Sequence, residues 1–351
     1  MSVPDLDLAP ITRHLRAKAS SQLLVSAIHH LNVFEELSQG PFSIKELQER
    51  LFLRERPAMV LFPALCAMEL LSYNADNKLG LTALGKYLTS DIPANLIGYA
   101  GLEKDDPGVL KMTRWLRNDG PENVSQSLSY VKDETADSPM DDPGAARFFT
   151  MALAGRARYL SPVVAAKMSR NDGTLLDVAG GTGYYTYEWL LANPKSRAIL
   201  FDRPEVLKVA GELLDEFCMG ERQGLNTIKE RVTFMPGDML TDELPAADVL
   251  LAASLFHDWS TETCKILARK FAGSINPGGE LWIHEAFLND TFDGPIAVTD
   301  YSAMLFTGTK GRAYSRQEYR SWLAEEGLLI SPDNIPTLMD YGLIFALKPS
   351  K

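Results

Sequence analysis

Apolar positions change rhythm near residue 173. Upstream they recur at helical spacing. Leu23, Leu24, Ala27, Ile28, Leu31 and Phe34 fall on one face of a helix predicted within Ser20–Leu37. Gly40–Pro41 ends it, and Ser43 with Glu46 reads as a capping box opening the next helix. Arg56–Leu71 predicts a third helix, apolar almost all round. The stretch SYNADNKLGLT that follows predicts a short hairpin. Ala145–Met168 predicts a linking helix, or a pair of helices interrupted near Pro162.

Downstream, short apolar runs alternate with helical patterns. TLLDVAG, RAILFD, RVTFMPGD, ADVLLAA and GELWIHEA each read as a buried strand. The run YGLIFALKP adds an antiparallel strand at the edge. The expected fold is α/β, a mostly parallel Rossmann-like sheet. The predicted division is 1–105, a helical domain whose helices and hairpin resemble a winged helix, 106–170, a helical bridge, and 171–351, the sheet domain. Ligands of such sheets bind outside the carboxyl ends of the strands, where strand order reverses.

Composition narrows the partners. An apolar share of 46% with 23% charged residues suits a globular chain of 351 residues, long enough for two domains. The net charge of −11 repels phosphate backbones and anionic lipid, so nucleic acid and membrane are not expected partners. Three scattered cysteines without zinc spacing suggest neither disulfides nor a metal. The start MSVPDLDLAP has no basic, apolar leader pattern, and cytoplasm is the expected location.

Candidate chemistry concentrates at strand ends. In LLDVAGGTGYYT a strand closes on Asp177–Val178, and Gly180, Gly181 and Gly183 allow a tight turn or close approach to a ligand. A dinucleotide fingerprint needs Gly or Ala where Thr186 stands. Asp202, closing the second strand, can accept ribose hydroxyls or cap a helix. In GDML, Asp238 can accept from an adenine amine and Met239 can lie on the base.

The order DVAGGTG, FDRPEV, PGDML, LFHDWSTETC, GGELWIHEAF resembles the class I methyltransferases, and more narrowly the small-molecule O-methyltransferases of the plant caffeate and microbial natural-product type. The helical N-terminal half is similar to that family's dimerisation domain. The resemblance implies S-adenosylmethionine held by the glycine loop, with Asp202 at the ribose and Asp238 and Met239 at the adenine. It implies a small hydroxylated substrate and a homodimer; without a metal-ligand cluster in the sequence, metal-independent chemistry is expected. Ala179 stands where many members carry glycine. Ala253–Ser254 stands where relatives often carry a Lys or Arg touching the cofactor, so Ser254 is the local candidate there.

A phenol titrates near ~10, so transfer to oxygen calls for a base poised near neutrality. His257, just past the fourth strand, is the candidate, with Glu285 closing the fifth strand as its orienter. Asp258 reads as a helix cap, Trp259 as a core anchor, and His284 takes no role. Tyr184 and Tyr185 can face a sulfonium or simply pack. Met304, Phe306 and Trp322 read as core rather than pocket. Ala313 occupies the position of a second glutamate in plant relatives. His29 and His30 are helix-surface histidines or contacts to a partner's pocket. Two other readings remain: N- or C-methylation or non-methylating chemistry with the same cofactor, and a winged-helix ligand-responsive regulator. The apolar third helix argues against the regulator.

Overall fold

The computed structural model describes residues 4–121, 138–168 and 172–350. Its elements run α1 (Ala9–His29), α2 (Val33–Ser38), α3 (Ile44–Leu51), α4 (Glu55–Ala67), β1 (Leu71–Tyr73), β2 (Leu79–Leu81), α5 (Ile97–Ala100), α6 (Pro107–Asn118) and α7 (Pro143–Lys167). Then come β3 (Thr174–Val178), α8 (Tyr184–Ala192), β4 (Arg197–Asp202), α9 (Pro204–Cys218), β5 (Val232–Pro236), β6 (Ala247–Ala253), α10 (Thr261–Ser274) and β7 (Ile275–Glu285). The chain closes with α11 (Ile296–Phe306), α12 (Arg316–Glu325), β8 (Leu329–Ile330), β9 (Ile335–Pro336) and β10 (Gly342–Leu347).

These elements form two compact units. The helical unit comprises the described residues of Pro10–Ser129 and Phe287–Arg316. The sheet unit comprises those of Met1–Ala9, Tyr130–Ala286 and Gln317–Lys351. The segment 287–316, grouped by sequence with the C-terminal half, thus clusters with the N-terminal helices. The expected boundary at 170/171 and part of the 106–170 bridge lie outside the described residues.

In the helical unit, Leu23, Phe34, Leu47, Leu61 and Phe62 are buried with Phe306 of α11. Each such side chain contributes about 1.5–3 kcal/mol through burial. Arg56 ties the unit together, with Nε to Asp119 at 2.8 Å and Nη1 to the Thr309 carbonyl at 2.9 Å. The predicted first helix breaks at Asn32, whose φ of 54° no helix tolerates. The third helix stops earlier than its apolar run because Glu69 turns left-handed at φ 61° and sends the chain into the β1–β2 hairpin. Ser43 and Glu46 make the capping box.

In the sheet unit, strand order is β5-β4-β3-β6-β7-β10-β8, with β9 also pairing β10. β3, β4, β5, β6 and β7 pair in parallel, and β10 runs antiparallel to β7. β10 is not the edge: β8 and β9, two residues each, pair along its outer side. The chain leaves β3 outward to β5 and returns to β6, so order reverses between β3 and β6. α7 is one continuous helix through Pro162, opened by an Asp142 cap.

Candidate active site

A cavity opens at the carboxyl ends of β3 to β6, and every residue lining it belongs to the sheet unit. Asp177, Gly180, Gly181, Asp202, Asp238 and Met239 line it, as does Ser254. Asp258 and Trp259 join them from the turn after β6. Opposite kinds of residue come from α7, where Phe149, Thr150, Leu153, Arg156 and Ala157 share one helical stripe. Gly183, His257 and Glu285 do not line the cavity: all three are buried beside it.

The loop after β3 is shaped by close approach. A Cβ on Gly180 would stand 2.2 Å from Leu200 Cδ1 and 2.9 Å from the Asp177 carboxylate. Gly183 caps α8 at φ 75°, where a Cβ would meet the Tyr187 hydroxyl. Two non-glycine residues are also left-handed, Ala179 at φ 54° and Ser254 at φ 55°. They follow the two switch-point strands, and each is pinned by its N–H, to the Phe201 and His284 carbonyls at 2.8 Å. Backbone strain of this kind is held at ligand sites by the structure around it.

The acids of the cavity are set by burial. Asp177 Oδ2 accepts from Thr186 Oγ1 at 2.7 Å, while its buried Oδ1 has no partner. Burial pushes the Asp177 carboxyl up to about 7, against the Thr186 hydrogen bond. Asp202 is raised to about 6 by burial, against the N–H groups of Gly181 (2.8 Å) and Arg203 (2.7 Å). Asp177 thus has one oxygen engaged, and Asp202 has both, one N–H on each; a carboxylate oxygen has two lone pairs, so both acids keep acceptor capacity for a ligand hydroxyl. Asp238 Oδ1 accepts the Leu240 N–H at 2.9 Å, and its Oδ2 lies 3.2 Å from Arg203 Nη1. Arg203 also grips Asp141 through Nε at 2.7 Å. Ser254 Oγ and Thr150 Oγ1 are buried without partners. Acidic walls with unsatisfied acceptors suit a cationic nucleoside bearing N–H and O–H donors, which S-adenosylmethionine is.

The histidine is held from behind. His257 sits in a one-turn 3-10 helix, Phe256–Asp258. Its Nδ1 lies 2.5 Å from Glu285 Oε2, and Glu285 Oε1 accepts the N–H groups of Leu255 and Phe256 at 2.8 and 3.0 Å. Its Nε2 lies 3.5 Å from Asp258 Oδ1. Burial lowers the His257 pKa, but the charges of Glu285 and Asp258 and the Glu285 hydrogen bond outweigh it and bring it up to about 9. Cys264 Sγ donates to the Phe256 carbonyl at 3.3 Å, bracing the same turn.

Several expectations change. Ser260, not Asp258, is the N-cap of α10, and Asp258 lines the cavity. Trp259 is only half-buried and lines the cavity rather than anchoring the core. Tyr185, not Tyr184, reaches the cavity. Trp322 is core as expected, stacked on Phe256, whereas Met304 is exposed rather than core. Ala313 is fully buried in the helical unit, its N–H on Ser302 Oγ at 3.2 Å. His29 and His30 meet the carbonyls of Ile97 (3.0 Å) and Lys104 (2.8 Å). Sequence reasoning missed Arg156 and Arg203; the second stood inside a quoted motif, and the first showed only as one charged position on a mostly apolar helical stripe.

A sequence profile of the O-methyltransferase domain matches residues 141–329. A solved O-methyltransferase family 2 protein from Planctomyces limnophilus, in complex with apigenin, is 35% identical with a TM-score of 0.85, covering 99% of this chain and 100% of that one. The 3-hydroxy-5-methyl-1-naphthoate 3-O-methyltransferase of Streptomyces sahachiroi is 27% identical over 88% of this chain and 85% of its own. The N,N-dimethyltransferase OxyT of Streptomyces rimosus is 26% identical over 97% of this chain and 98% of its own. The chain therefore belongs to the O-methyltransferase domain family, S-adenosylmethionine-dependent enzymes that act on small natural-product molecules.

Proposed function

We propose that this enzyme methylates a hydroxyl of a small aromatic molecule, with His257 as general base and Glu285 as its orienting residue. The observation carrying this reading is the 2.5 Å contact of His257 Nδ1 with a glutamate whose other oxygen is fixed by two backbone N–H groups. Such a lock keeps the proton on Nδ1 and makes Nε2 the working nitrogen. Bound S-adenosylmethionine supplies a methyl group already activated by positively charged sulfur. Asp202 would hold its ribose, Asp238 and Met239 its adenine, and the Gly180–Gly181 backbone, Asp177 and Ser254 the remainder. His257 Nε2 removes the hydroxyl proton as the oxygen becomes nucleophilic. At neutral pH the raised pKa leaves much of the imidazole protonated, so the reactive form grows as pH rises toward about 9.

An activated sulfonium needs positioning and a base rather than a Lewis acid, so transfer without a metal is proposed. A relative crystallised with apigenin and another acting on a hydroxynaphthoate support an aromatic acceptor. Exposed Ile11, Leu15, Tyr99 and Leu102 of the helical unit support a homodimer, and three free cysteines support a reducing, cytoplasmic setting. Incubation with donor and a panel of phenols tests the assignment: the product gains one methyl on oxygen, and forms far more slowly with His257→Ala. The relative named as an N,N-dimethyltransferase favours a second reading, transfer to an amine, which the same products distinguish by the position of the new methyl.

A further inference from the structure

We propose that Arg156, held in place by Tyr341, is the carboxylate-binding residue of the cavity and takes the α-amino-acid end of the methyl donor. This rests on the donor-binding reading above and names a subsite within it.

Four carboxylates line the cavity, at Asp177, Asp202, Asp238 and Asp258. They favour the sulfonium and ammonium of the donor and oppose its carboxylate. A counter-cation is therefore required. Among the described lining residues the cations are Arg203 and Arg156. Arg203 is committed at the β4–β5 end, between Asp141 and Asp238.

Arg156 is built into a different environment. Its Nη1 donates to the Tyr341 hydroxyl at 2.9 Å, and its guanidinium lies 5.6 Å from the centre of that ring. The other side of this support is His284, whose ring stacks on Tyr341 at 5.2 Å and an interplanar angle of 25°. His284 Nε2 meets Thr337 Oγ1 at 2.9 Å and Nδ1 approaches the cavity-lining Tyr185 hydroxyl at 3.5 Å. Burial and the nearby Arg156 charge drive His284 down to about 3, so it stays neutral and adds no second cation. Arg156 and Asp177 act with opposite sign on the same Tyr185 hydroxyl. A fixed cation and an acid with a partnerless oxygen, both lining the one cavity, match the two charges of an amino acid. A planar guanidinium binds carboxylate through paired N–H groups, which a lysine cannot reproduce.

The test is calorimetry on the full chain with two ligands, S-adenosylhomocysteine and 5′-methylthioadenosine, which lacks the amino-acid end. Arg156→Met is expected to weaken S-adenosylhomocysteine about tenfold or more and to change methylthioadenosine by less than about twofold. Tyr341→Phe is expected to give a smaller loss, about threefold, on S-adenosylhomocysteine alone, and it decides the matter if Arg156→Met does not fold. Equal losses for both ligands would overturn the proposal. So would unchanged S-adenosylhomocysteine binding, including the case where KM for a carboxylated acceptor rises instead and Arg156 serves that molecule. Wild-type protein that binds neither ligand would remove the donor-binding reading itself, and this subsite with it.

Discussion

At the glycine-loop end of the cavity, Asp177 keeps a buried oxygen without a partner and both Asp177 and Asp202 are pushed toward protonation by burial. Past the end of β6, His257 and Glu285 are just as buried, yet each satisfies the other and two backbone N–H groups complete the glutamate. The first region is finished only by a ligand, whereas the second is finished by the fold. Binding affinity should therefore respond to changes at the loop, and turnover to changes at the histidine. Unsatisfied buried acceptors cost free energy that a matching ligand recovers, while a satisfied buried pair fixes geometry and tautomer.

The largest expected effect is on turnover. His257→Ala should lower kcat by ~10²–10⁴ and leave S-adenosylhomocysteine affinity nearly unchanged in calorimetry. Parallel losses in both would merge the two regions. Glu285→Gln comes next. Its amide oxygen can still accept the Leu255 and Phe256 N–H groups, but its NH₂ would face His257 Nδ1 and favour the opposite tautomer. A kcat loss of ~10²-fold or more is expected, with the pH–rate inflection moved downward.

On the loop side, Gly180→Ala forces a methyl to 2.2 Å from Leu200 Cδ1 and 2.9 Å from the Asp177 carboxylate. It should cost ~1–3 kcal/mol of stability and weaken donor binding, read by thermal melts with and without S-adenosylhomocysteine. Donor affinity should also fall as pH drops through about 7 and about 6, where Asp177 and Asp202 take up protons. Because both pKa values lie above 3.8, the ligand-free fold binds protons the unfolded chain has lost. Its stability should decline as pH rises from about 4 to about 7, and bound donor should offset that decline. The smallest effect is at Ala179, left-handed at φ 54°. Ala179→Gly should relieve strain and change stability by less than about 1 kcal/mol, with melting temperature as the readout.

Much of the sheet unit was legible because its strands are short apolar runs ending at chemically distinct residues. Asp177, Asp202, Asp238 and Ser254 meet in one cavity because parallel strands deliver their carboxyl ends to one rim. Other features left no local signal. β8 and β9 are two residues each, too short for any periodicity, so β10 read as an edge. The grouping of 287–316 with the helical unit depends on tertiary clustering, with Ala303 and Phe306 filling a core made from residues 19–116. Arg156 lies on α7, one strand upstream of the glycine loop, and a single arginine on an apolar stripe does not announce what it faces. The role of Asp258 was misread because a following helix offered it a cap that Ser260 supplies.

The most direct measurement is a ¹⁵N-histidine NMR titration of wild-type protein and Glu285→Gln. If Glu285 orients and charges the buried base, His257 remains protonated beyond neutrality, with its transition near about 9, and that transition falls in the variant. A His257 that titrates at or below 6.5, or that titrates alike in both proteins, would contradict the account.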